Sequence, residues 1–378
     1  MSALLLHIGS PKAGSSAIQA SLLEAAADLR EQQGLLVLPP NPYRRPLPSG
    51  FLAACHLPPE QLPRYLAARQ RRDPLRFAAD VALYEQLLHD LLRLGRPASS
   101  RRWRARLQRA WADGLRRPSR PALLSSEYLF RLPPAEIRRL RERFTALGVR
   151  RFRVLVYVRE PVSAYGSFLQ QWLRLSTDLE RYDPWQWHYQ LRSQLEAWAA
   201  VFAPEELVVR PFRRDQLQGG SVVSDFYGQC SSWFERPLQG PEPRGVNEAL
   251  TAEALSLVQE LLAPVPPQRR LEQQWLSSMA GFLRLLRHEA AALPCTPVQL
   301  QPWLRRLVWE RHAADLAWLE QRHGIRFEAP EPELLAAPLP ARRDALRLED
   351  LLVSCGDPAL TQELRQRQLQ AVVREGLR

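Results

Sequence analysis

The chain has 378 residues, long for one compact domain and short for three, so one large α/β domain or a core with a helical appendage is expected. Its 52 basic against 40 acidic residues leave a formal charge of +12, which favours an anionic partner without choosing among nucleotide, polyanion, nucleic acid and membrane surface. No apolar run approaches the ~20 residues of a membrane-spanning helix. The four scattered cysteines, Cys55, Cys230, Cys295 and Cys355, form no CxxC pair and have no histidine at ligand spacing, which argues for reduced thiols and against a metal site.

In chain order, Ala3 to Ile8 is apolar enough for a fully buried strand, and the start MSALLLHIGS lacks a basic n-region and a cleavage site, so a cytoplasmic protein is expected. Ser15 is placed to cap a helix carrying Ile18, Leu22, Ala25 and Leu29 at helical spacing, and GLLVL (34–38) reads as a second strand stopped by Pro39 and Pro40. Residues 41–120, rich in proline and arginine and mostly helical in pattern (Leu83, Leu87, Leu88, Leu91, Leu92), read as an insertion over the sheet. Strands follow at PALLSS (121–126) and FRVLVYV (152–158), separated by a helix starting near Pro133 and Pro134. A helix over Trp185 to Phe202 would align Trp187, Leu191, Leu195, Trp198 and Phe202 as a core stripe. ELVVR (206–210) reads as a further strand, with DFYGQC (225–230) on the helix after it. Apolar strands alternating with helices predict an α/β fold with a parallel sheet of about five strands flanked by helices. The core is drawn at 1–262 and a helical C-terminal extension at 263–378, whose last forty or so residues are expected to pack loosely.

One residue stands apart from the composition: Lys12 is the sole lysine, every other basic side chain being arginine. It lies in GSPKAGSS, between the first strand and the first helix, where orphan N–H groups and the helix dipole make an anion site. Gly9 and Gly14 permit close backbone approach, and Ser15 and Ser16 add hydroxyl donors. The order is not that of the nucleoside-triphosphate loop G-x-x-x-x-G-K-[ST], because the lysine precedes the second glycine and Ala13 follows it, leaving no hydroxyl to hold magnesium. That suggests phosphate chemistry without a metal. A second anion site is expected in VLVYVREPVSAYGSF (154–168), where Arg159 ends a strand, Pro161 suits a first helical position and Ser167 follows eight residues after the arginine.

PKAGSS resembles the 5′-phosphosulfate loop PK[ST]G[ST][ST] of sulfotransferases that use 3′-phosphoadenosine 5′-phosphosulfate (PAPS), and REPVSAYGS resembles their 3′-phosphate motif. SSEYL (125–129), residues 204–226 and VNEALTAEAL (246–255) are similar to stretches of bacterial members, so the resemblance spans about 3–262. It implies a P-loop-like sulfotransferase fold, with Lys12, Ala13, Gly14, Ser15 and Ser16 on the 5′-phosphosulfate and Arg159 and Ser167 on the 3′-phosphate. Ala13 replaces the usual Ser or Thr. The family's R-x-G-x-x-G motif is absent, so Arg244 and Asn247 are the candidates for a third nucleotide contact. Glu127, at the end of PALLSSE, and His56, in AACHLPPE, are the candidate bases, while His7 reads as a hydrogen-bonded core residue.

The implied activity moves a sulfuryl group from PAPS to a hydroxyl or amine of a glycan or small molecule, with no metal, and an arginine-lined pocket would favour an anionic acceptor. A P-loop nucleotide kinase or ATPase is the nearest alternative, disfavoured by the missing GK[ST]. A non-catalytic polyanion-binding protein is the third; the motifs of nucleic-acid modules are missing, so no nucleic-acid partner is expected, and an oligomer is left open.

Overall fold

The computed structural model describes residues 2–38, 121–174, 176–243, 249–266, 273–342 and 346–374. The expected insertion at 41–120, with Cys55 and His56, lies outside the described residues, as do Arg244 and Asn247.

Five strands make one all-parallel sheet in an α/β architecture, as the alternation of apolar strands and helices predicts. In chain order the main elements are β1 (Ser2–His7), α1 (Ser15–Glu31), β2 (Leu36–Val37), β3 (Ala122–Ser125), α2 (Pro134–Ala146), β4 (Val149–Val158), α3 (Pro161–Leu173), α4 (Leu191–Ala199), β5 (Leu207–Pro211) and α5 (Val222–Phe234). Longer helices follow at α6 (Ala252–Leu262), α7 (Gln273–Ala290), α8 (Pro302–His323) and α9 (Pro358–Arg374). The strand order is β2-β3-β1-β4-β5. Strand β1 is central, paired with β3 through Leu4–His7 and with β4 through Ser2–His7. The chain moves to one side of β1 for β2 and β3 and to the other for β4 and β5. A switch point therefore opens at the carboxyl ends of β3, β1 and β4, where ligands bind in such sheets.

The two-residue period of the strands divides the core. Leu4, Leu6, Ala122, Leu124, Val154, Val156 and Val158 belong to a cluster with α2, α3, α4 and the C-terminal helices, whereas Ala3, Leu5, Leu123, Leu155 and Tyr157 belong to one with α1 and α5. Buried Leu257, Leu286, Val308 and Leu364 bring α6, α7, α8 and α9 into the first cluster. Within the last forty or so residues, expected to pack loosely, Leu364 is fully buried where α9 lies against α6 and α7. Among the described residues no helix is long and apolar enough to cross a membrane.

Two further expectations change. Helix α1 begins at Ser15 itself; Gly14 is its N-cap, because φ of 84° there is a left-handed conformation that glycine adopts without a Cβ penalty. The helix expected over Trp185–Phe202 is only Leu191–Ala199, since Gln190 takes φ of 56° and stops it from extending backwards. Leu191, Leu195 and Trp198 keep their helical stripe, while Trp187 sits in an irregular run that begins at the turn where Asp183 accepts from the Trp185 N–H at 2.9 Å.

Candidate active site

Three strand ends meet at the switch point. The 8–14 loop leaves β1, Glu127 opens a short 3-10 turn (Glu127–Arg131) directly after β3, and Arg159 follows β4.

The loop is held tightly. Lys12 has φ of 67°, the left-handed region that costs a non-glycine residue about 1–2 kcal/mol. Inside the loop the Ala13 N–H donates to the Ser10 carbonyl at 3.2 Å. Outside it, Arg159 Nη1 donates to the Lys12 carbonyl at 3.0 Å, and the Tyr189 hydroxyl donates to the Pro11 carbonyl at 3.2 Å. A Cβ on Gly9 would stand 2.1 Å from Ser15 Oγ, and one on Gly14 would stand 2.8 Å from Val222 and 2.9 Å from Phe212. A side chain at either glycine would force its neighbours to move, and Gly14 is required by its φ as well.

The chemistry of the loop fits an anion. The N–H groups of Gly14, Ser15 and Ser16 find no backbone acceptor among the described residues, as expected at a helix N-terminus. Ser15 is 3% exposed, yet its hydroxyl has no hydrogen-bond partner among the described residues. An orphaned buried hydroxyl beside free N–H groups and a glycine cradle is what a phosphate oxygen would complete. Ser16 is exposed, and Ala13 is fully buried, so no hydroxyl replaces the one its position lacks.

Among the described residues, most of the charges acting on the loop are positive. Lys12 is half-buried, and its ammonium pKa falls from 10.5 to about 8: burial does most of this, Arg174 and Arg159 add repulsion, and Glu127 opposes them. Arg174, which ends α3, is itself lowered to about 10 by burial and by Arg287 of α7. Glu127 shows the reverse effect, with burial raising its carboxyl above 4.5 while Lys12 and Arg131 pull it down. A lysine made less basic and a carboxylate made more basic thus lie within each other's field at one sheet edge.

Of the candidates read from the sequence, Lys12, Gly14, Ser15, Arg159 and Glu127 gather around the loop. Arg159 stands with its guanidinium carbon 5.6 Å from the Phe212 ring centroid, and burial lowers its pKa. It is not tied up by the adjacent Glu160, whose carboxylate caps α3 by accepting from the Val162 N–H at 2.6 Å and the Ser163 N–H at 2.7 Å. Ser167 lies half-buried on α3, two turns beyond Arg159, with no hydrogen bond linking the two among the described residues. His7 is the core residue expected: its Nδ1 lies 2.7 Å from Ser125 Oγ, and burial lowers its pKa to about 3, so it stays neutral.

Sequence reasoning missed Tyr189 and the histidine behind it, His312. Tyr189 Oη lies 2.6 Å from Ser10 Oγ, and burial raises its pKa to about 12. The missed arginines, Arg131, Arg174 and Arg287, were hidden among the chain's many others, with only spacing along α3 to single out Arg174, seven residues beyond Ser167.

No family model matches the chain, and no curated protein is matched by it. A solved structure of a sulfotransferase from Alicyclobacillus acidocaldarius is similar at 17% sequence identity, over 73% of this chain and 98% of that one, with a TM-score of 0.31.

Proposed function

We propose that the chain is a PAPS-dependent sulfotransferase, moving a sulfuryl group to a hydroxyl or amine of a glycan or small molecule. The observation that carries this reading is the anion cradle after β1, where the Gly14, Ser15 and Ser16 N–H groups and the unpartnered buried Ser15 hydroxyl, as seen among the described residues, adjoin Lys12, whose carbonyl Arg159 holds at 3.0 Å. Lys12, Gly14, Ser15 and Ser16 would hold the 5′-phosphosulfate, and Arg159 and Ser167 the 3′-phosphate. The donor supplies an activated sulfuryl group. Glu127 accepts the proton of the acceptor hydroxyl, which its raised basicity favours. Lys12 meets the negative charge that grows on the departing phosphate side, a contact stronger in the transition state than in the ground state.

This accounts for a lysine where every other cation is arginine. A compact ammonium on a flexible stem can follow charge as it moves, whereas a planar guanidinium prefers fixed two-point contacts. Arg131, Arg174 and Arg287, close enough to bias Glu127, Lys12 and Arg174 in turn, support an acceptor that carries an anionic group of its own.

The test is calorimetry with adenosine 3′,5′-bisphosphate and with ADP. The reading expects binding that needs the 3′-phosphate and is lost in Arg159→Gln. Equal affinity for ADP, or magnesium-dependent ATP turnover, would favour a nucleotide kinase. Tight, steeply salt-dependent heparin binding indifferent to the bisphosphate would favour the polyanion reading.

A further inference from the structure

The loop that carries Lys12 is braced from the far end of the chain. His312 lies on α8, 2% exposed, with Nδ1 at 2.7 Å from the Val308 carbonyl. A carbonyl only accepts, so Nδ1 carries the ring proton and Nε2 of the neutral ring is an acceptor. It takes the backbone N–H of Tyr189 at 3.1 Å. Burial lowers the pKa of His312, and His188 and Arg311 lower it further, which keeps the ring in this form against the Val308 hydrogen bond and the charge of Asp315.

Tyr189 passes the constraint on. Its single hydroxyl proton goes to the Pro11 carbonyl at 3.2 Å, which leaves the hydroxyl of Ser10 as the donor across the 2.6 Å contact to Tyr189 Oη. Tyr189 is 6% exposed and Ser10 is fully buried, so water does not compete for these bonds. Pro11 and Lys12 therefore have their adjacent carbonyls fixed from outside the loop, one by Tyr189 and one by Arg159. Because the C=O and N–H of one peptide plane point opposite ways, fixing the Pro11 carbonyl also sets where the Lys12 N–H points.

We infer that His312 and Tyr189 are positioning residues, a strut from α8 that holds the 8–14 loop in its anion-binding shape and its strained Lys12 backbone in place. Helix α8 thereby becomes part of the site's construction. This role goes beyond the proposed activity, since the strut acts on the loop itself whichever anion the loop takes.

Site-resolved hydrogen exchange of the unliganded protein tests it at the Ala13, Ala17 and Ile18 amides, which bond within the loop and first turn. Tyr189→Phe and His312→Leu should each speed exchange there by about five- to tenfold, the equivalent of one net hydrogen bond, with the body of α1 unchanged. His312→Gln, which keeps an acceptor for the Tyr189 N–H, should stay near the wild-type rate. The Tyr189→Phe/His312→Leu double variant should be no faster than the faster single, because both act through one chain of bonds. Unchanged exchange in Tyr189→Phe would overturn the strut, as would additive singles or a His312→Gln variant as fast as His312→Leu. If His312→Leu does not fold, Tyr189→Phe and His312→Gln still decide. Calorimetry with adenosine 3′,5′-bisphosphate separates this from the donor reading: wild-type protein that ignores the nucleotide counts against the donor alone, while the exchange rates still judge the strut.

Discussion

If the loop takes the nucleotide as proposed, the lowered basicity of Lys12 should make binding consume protons. In the free protein its pKa is about 8, so at pH 8 about half of the molecules carry a neutral lysine. Bringing two phosphate charges onto the loop restores the pKa toward or above its ordinary value, because opposite charge favours the ammonium. Uptake should then be about half a proton per bound adenosine 3′,5′-bisphosphate at pH 8 and about 0.9 at pH 9, where the phosphates are already fully ionised. Calorimetry in buffers of different ionisation enthalpy reads this directly, as the slope of observed heat against buffer enthalpy. Lys12→Arg is the control, since a guanidinium stays charged throughout and should abolish the slope. Arg174→Gln removes the largest repulsive charge on Lys12 and should move the onset of uptake to higher pH. Binding heats independent of buffer at pH 8 in the wild-type protein would refute the reasoning.

Three further outcomes are expected. Glu127→Gln should lower kcat by about 10²–10⁴-fold with little change in nucleotide affinity, as loss of a general base does. Because Glu127 must be ionised and its pKa is raised, wild-type activity should fall on the acid side through a pKa above 4.5, and on the alkaline side once free Lys12 deprotonates near 8; the Gln variant should lose the acid limb. Lys12→Met should stabilise the unliganded protein. The fold disfavours the charged lysine, so the penalty is full below pH 8 and is relieved as pH rises toward 10.5. At ~1.4 kcal/mol per pKa unit the ceiling is about 3.5 kcal/mol, and solvent access at a half-buried site reduces it to about 1–2 kcal/mol, read as a rise in Tm near pH 7 that vanishes above about pH 10.

The parts of the site that were legible in the sequence are those built from consecutive residues. Strand, loop and helix at 3–29 follow from an apolar run, two glycines and a helical stripe, and Arg159 follows from its place after FRVLVYV. Glu127 was legible for the same reason, two residues past a buried strand. What was not legible depends on contacts between distant parts of the chain. Tyr189 meets Pro11 across 178 positions and His312 across 123, and a lone tyrosine and a lone histidine carry no spacing that would announce them. The left-handed turn at Gln190 was equally silent, since glutamine has no preference for it, and the apolar period of 185–202 argued for an unbroken helix. The strand at 34–38 is reduced to Leu36–Val37, paired with β3 at the sheet's edge. Ser15 matched the residue type of a cap, but Gly14 alone could take the left-handed turn into α1 with Phe212 and Val222 pressed against it.

Transfer of labelled sulfate from PAPS, measured with purified wild-type protein and with Lys12→Arg against a panel of hydroxyl- and amine-bearing acceptors, tests the central claim most directly. The account predicts transfer by the wild-type protein in the presence of a metal chelator, favouring acceptors with an anionic group, and a loss of at least about a hundredfold in kcat for a Lys12→Arg variant that still folds. Equal turnover by the two proteins would contradict it.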